Sequence, residues 1–79
     1  MVIKTFTIYI KLLDENVFVL RPTQGKLVGD MVFEILSTED YDPEDEHWEF
    51  PPGKLVRCAK KFNGSLGREI LVAIEEVDD

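Results

Sequence analysis

Hydrophobic and polar positions alternate most regularly near the start of the chain. Phe6, Ile8, Ile10 and Leu12 fall on one side, and Thr5, Thr7, Tyr9 and Lys11 on the other. A period of two, rich in β-branched and aromatic residues, predicts a strand with one buried and one wet face. Asp14 to Asn16 supply turn formers, after which "VFVLR" opens a second strand that Pro22 should end or confine to a sheet edge. Gly25 and Gly29 bracket a short apolar piece, Leu27 and Val28, and the Gly29-Asp30 pair predicts a tight turn into "MVFEIL".

Residues 37–47, "STEDYDPEDEH", have no apolar period and carry six carboxylates, so they read as one long exposed loop in which Pro43 blocks regular structure. Pro52 and Gly53 suit a type II turn, Pro fixing φ and Gly accepting a positive one. The strand that follows places Val56 and Cys58, with Phe62 further along, on one face. "NGSLG" marks a hairpin turn, and "REILVAIEEV" closes the chain's series of strands with Ile70, Val72 and Ile74 expected on one side. No capped helical period competes with these strands. Five or six short strands separated by Gly, Pro and Asn turns predict an all-β domain: a small antiparallel barrel or sandwich, SH3-like, occupying residues 1–79 as a single unit.

Composition narrows the function more than the fold. A chain of 79 residues has room for one core, and its single cysteine forms no intramolecular disulfide. There is no Cys/His cluster for a structural zinc, and no cofactor motif: "NGSLG" lacks the lysine and the following helix of a phosphate-cradling loop. The opening "MVIKTFTIYIKLL" is broken by Lys4 and Lys11, too short to span a bilayer and without a cleavage site, so the expected location is the cytoplasm, away from membranes.

The formal net charge of −7 disfavours phosphate backbones and favours encounter with a basic protein. The charge is polarised along the chain. Asp40, Asp42, Glu44, Asp45 and Glu46, with Tyr41 among them, form the expected partner-binding surface. Lys54, Arg57, Lys60, Lys61 and Arg68 crowd the following hairpin and offer an alternative, basic surface for nucleic acid, although Phe62 is the one aromatic among them. Such polarity also allows one subunit's loop to meet another's hairpin in a homodimer.

The stretch "EHWEFPPGKLVRC" holds the chain's only histidine, tryptophan and cysteine. A thiolate-imidazole pair of Cys58 and His47 would need an orienting group and an oxyanion site, and no pattern supplies either, so Cys58 is expected as a small core hydrophobe and catalysis is not expected. Trp48 and Phe50 share strand parity and are expected to plug the end of the barrel rather than to form a ligand platform. Carboxylates at Asp40, Asp42, Glu44 and Glu46 have calcium-loop spacing, but Asp45 and Pro51 stand where such a loop needs glycine and a bidentate glutamate.

The strings "LLDENVFVLRP", "GDMVFEIL", "EDEHWEFPPGKLVRC" and "ILVAIEEV" together resemble a family of short uncharacterised bacterial proteins with a W-x-F-x-P-G-x-x-V-x-C motif. The resemblance runs from Leu12 to Val77. Its shared positions here are Arg21, Pro22, Gly29, Trp48, Phe50, Pro52, Gly53, Val56 and Cys58. It implies a compact all-β domain and no particular chemistry.

Overall fold

The computed structural model describes residues 4–38 and 41–77. Its elements are all strands: β1 (Thr5–Leu13), β2 (Leu20–Gly29), β3 (Val32–Ile35), β4 (His47–Trp48), β5 (Leu55–Asn63) and β6 (Arg68–Glu76). Strands β1, β2, β3, β5 and β6 follow one another as antiparallel neighbours, and β6 returns to β1 to close a ring. The closing pair is parallel, so the sheet is mixed and departs from the all-antiparallel expectation at this one seam. Five strands that reverse direction at each step leave the first and last pointing the same way, so closure of an odd meander must be parallel.

That seam is short. Ile8 pairs with Leu71 and Tyr9 with Val72, and the register goes no further. Beyond it, β4 attaches to the end of β1 through Leu12↔Trp48 and Leu13↔His47, extended by the Glu49 N–H donating to the Lys11 carbonyl at 2.9 Å.

Alternation along β1 places Ile8, Ile10 and Leu12 in the core as expected, together with Phe33, Ile35, Val56, Cys58, Ala73 and Trp48. Gly25 lies where β2 crosses Ile8 and Phe33: a Cβ there would sit 2.8 Å from Ile8 Cδ1 and 3.1 Å from Phe33 Cβ. Close approach, not turn chemistry, is what asks for glycine at this position.

Four local expectations are revised. Strand β2 begins at Leu20, leaving Val17 and Phe18 each 70% exposed in the preceding loop. It then runs through Pro22 and Gly25 to Gly29 as one strand. Pro22 is tolerated because the Leu12 N–H bonds to the Val19 carbonyl and the Leu27 N–H to the Lys4 carbonyl, which makes Tyr9↔Pro22 a non-hydrogen-bonded pair. The proline nitrogen therefore faces the other edge, past the last bond to the β3 side, Leu36 N–H to the Gln24 carbonyl.

On β6 Leu71 and Ala73, rather than Val72 and Ile74, join the core cluster, because Cys58 pairs with Ala73 and Lys60 with Leu71 after a bulge, while Ile70 is buried as expected but lies outside that cluster. Ile74 is the extra residue of that bulge and Val28 that of a second one between β2 and β3, which is why both aliphatics are left exposed.

Phe62 keeps the parity of Cys58 but projects beyond the core and is 71% exposed. The β5–β6 connection is closed by the Gly67 N–H on the Asn63 carbonyl, with the Asn63 side chain capping the Leu66 N–H and Gly67 taking the left-handed conformation at φ 69°. The Pro52-Gly53 turn is as expected, with Gly53 at φ 95°.

Candidate functional site

Most of the sequence-predicted residues gather at the end of the ring where β4 caps β1. Trp48 is buried in the core, with Phe50 packed against it, so the plug expectation holds. Its indole N–H donates to Glu46 Oε1 at 3.1 Å, and Glu46 also forms an ion pair with Arg21 of β2. Partial burial works against ionisation of Glu46, yet the hydrogen bonds from Trp48 and Arg21, together with the arginine's charge, outweigh it and hold the carboxyl below its ordinary range. Glu46 is thus committed inside the molecule.

Tyr41, expected to be exposed, is half-buried and packs edge-on to Trp48, with ring centroids 4.7 Å apart. An apolar ring beside a buried indole gains more from that contact than from solvent. Between these two anchors the chain turns tightly: the Asp42 carbonyl accepts from the N–H groups of Asp45 and Glu46, and Asp42 Oδ1 accepts from the Glu44 N–H at 2.9 Å. The result is a pinned acidic turn exposing Asp42, Glu44 and Asp45. Asp40 lies outside the described residues.

The turn faces the β1–β2 loop across a groove of about 390 Å³ lined by Asp14, Glu15, Glu44, Asp45, Glu46 and His47 among others. His47 Nδ1 lies 2.8 Å from Asp14 Oδ2, tying the two segments together. Val17 and Phe18 stand exposed on the same loop, with the Lys11 ammonium 5.7 Å from the Phe18 ring centroid. Asp14, Glu15, Val17 and Phe18 were not singled out as site residues by the sequence. The available signal was "VFV" following three turn formers without polar alternation.

Cys58 and His47 do not meet as a dyad: the thiol is in the core and pushed up to about 11 by burial, while His47 is exposed and bonded to Asp14. A neutral buried thiol is a poor nucleophile. Among the described residues no three His, Cys, Asp or Glu side chains are placed to hold one metal ion, and no helix is long and apolar enough to cross a membrane.

The basic hairpin is partly neutralised within the molecule. Arg57 bonds Glu75 at 2.7 Å and Lys54 lies 3.9 Å from Glu76, whereas Lys60, Lys61 and Arg68 form no ion pair among the described residues. No protein-family model, curated protein or solved structure matches the chain.

Proposed function

We propose that this chain is a non-catalytic protein-binding module, an SH3-like barrel acting in the cytoplasm, whose acidic end receives a basic protein partner. One observation carries the reading: two segments far apart in sequence converge on a groove of carboxylates, and the β1–β2 loop that forms one side of it also leaves two large apolar side chains, Val17 and Phe18, in water. Exposed large apolar side chains rimmed by polar and charged groups are the usual makings of a protein interface. Asp42, Glu44 and Asp45 supply the exposed charge of the acidic loop, and Asp14 and Glu15 extend it.

The alternative, a nucleic-acid-associated barrel using the hairpin, draws on Phe62 exposed among Lys60, Lys61 and Arg68. It is weaker, because Lys54 and Arg57 are engaged by glutamates and a stacking platform wants more than one aromatic.

Affinity capture from native lysate at low salt tests the reading with three baits: the wild-type chain, the triple variant Asp42→Asn, Glu44→Gln, Asp45→Asn, and the double variant Val17→Ser, Phe18→Ser. A basic protein held by the first and lost from both variants is the expected outcome. Identical captures by all three overturn the assignment.

A further inference from the structure

The end of the ring opposite Trp48 is built differently, and it points to a second binding site. Here β1 and β6 part company. Both remain strands beyond the seam, β1 pairing with β2 out to Thr5↔Lys26 and β6 with β5 out to Asn63↔Arg68, yet among the described residues Thr5 to Thr7 and Arg68 to Ile70 form no residue pair across the gap.

The backbone groups aimed into that gap can be assigned. Even-numbered residues of β1 face β2, as the Leu12 N–H bond to Val19 requires, so Thr5 and Thr7 point their peptide groups toward β6. Since Ile8 is turned to β2, Leu71 must supply both seam bonds at the Ile8↔Leu71 pair, its N–H to the Thr7 carbonyl and its carbonyl to the Tyr9 N–H. Glu69, two residues earlier, is aimed the same way, which leaves the Thr7 N–H and the peptide groups of Thr5 and Glu69 without a strand partner among the described residues. Two strand edges thus look at each other across open space.

That space is a cleft of about 650 Å³ with apolar walls that include Phe6, Leu27, Met31, Phe33 and Leu71. Met31 reaches it from a two-residue turn in which it takes a left-handed φ of 58°. Lys60 and Arg68 line the cleft against Asp30 and Glu69, and Lys61 beside Lys60 and Lys4 leading into β1 add further positive charge at this end.

We infer that this cleft binds an extended acidic-apolar peptide segment of another protein, which adds as a strand to the free edges of β1 and β6, seats a large apolar side chain among Phe6, Leu27 and Phe33, and meets Lys60 and Arg68 with its carboxylates. Unpaired edges select an extended backbone, because strand addition satisfies main-chain donors and acceptors that a helix would leave empty. Alternate side chains of such a strand point into and away from the cleft, so one apolar residue flanked by acidic ones fits both the walls and the rim. The site is at the far end of the molecule from the acidic groove and does not depend on it.

The experiment is amide hydrogen exchange and a binding titration with a synthetic decapeptide that alternates glutamate with valine around a central phenylalanine. The probes beside it are the same peptide with lysine for glutamate, dodecanoate, and a single-stranded thymidine oligonucleotide. Expected are exchange at the Thr7 and Glu69 amides slowed at least about tenfold by the acidic peptide, and affinity reduced at least about tenfold in Lys60→Glu/Arg68→Glu, both exposed positions. Leu27→Glu, at the apolar wall, should abolish binding without touching the basic rim. Equal binding of the lysine peptide, or dodecanoate or the oligonucleotide binding where the acidic peptide gives no protection at Thr7 and Glu69, overturns the inference.

Discussion

The two ends of the β1–β6 seam pose the same physical problem and receive opposite solutions. At one end β6 leaves the edge of β1 and β4 takes its place, bringing Trp48 to 2% exposure with Tyr41 against it. At the other end nothing among the described residues takes the place of β6, and Phe6 and Leu27 remain 39% and 40% exposed around a cleft. A ring closed by two parallel pairs is therefore covered at the end where the long loop folds back over it. The same loop fixes the acidic turn, so the plugged end couples stability to one charged surface. The open end leaves a surface that stability does not require, and a binding site there can vary without unfolding the domain.

Truncation at the two ends should break the symmetry most clearly. Trp48→Ala removes a buried ring and the donor to Glu46 and is expected to cost about 3–5 kcal/mol, comparable to the total stability of a small domain, so far-ultraviolet circular dichroism in urea should show a chain unfolded or nearly so. Phe6→Ala, by contrast, loses an edge-on contact with Phe33 at 5.7 Å between centroids and should cost only about 1 kcal/mol. Equal costs would mean that the cleft is as much a part of the core as the plug.

Gly25→Ala probes the wall between the two ends. Its new methyl would press on Ile8 and on the Phe33 Cβ, which belongs to a neighbouring strand and gives little. A loss of about 1–3 kcal/mol in denaturant midpoint analysis is expected. An unchanged midpoint would show that β2 can move away from β1 at this point.

The smallest effect sharpens the plugged end. Glu46 has its folded pKa below the ordinary 4.5, so its contribution to stability is present above about that pH and is lost as the pH falls through the folded value. Glu46→Gln retains an acceptor for the Trp48 N–H while removing the charge facing Arg21. The stability gap between wild type and variant should be widest near neutrality and should narrow in urea titrations taken at successively lower pH. A gap that stays constant would assign the residue's role to the hydrogen bond alone.

Much of this architecture is legible along the chain. The period of β1, the Pro52-Gly53 turn, the irregular acidic loop and the burial of Cys58 and Trp48 all follow from local pattern. What local pattern misses has identifiable causes. Val17 and Phe18 look like strand residues, but the pairing register starts only after them. Pro22 reads locally as either a strand end or an edge position, and the ladder decides for the edge, its nitrogen facing a side with no bond to make. In β6 the run Ile70 to Ile74 is apolar at every position, so alternation carries no information about which face is inward, and a bulge decides it. The candidate site was half visible: Asp42, Glu44 and Asp45 stood out by composition, while Asp14 and Glu15 joined them only through the fold.

The sequence by itself determined an all-β chain, its turns and the acidic character of one loop, because strand periodicity, glycine and proline conformations and charge are properties of residues and their immediate neighbours. Only the tertiary structure decided that the ring closes through a parallel seam, that Glu46 turns inward to Arg21 and Trp48, and that β4 fills one end while the other stays open. Those outcomes depend on register between distant strands, where a shift of one residue exchanges the buried and exposed faces, and no local segment encodes which register the whole ring can close.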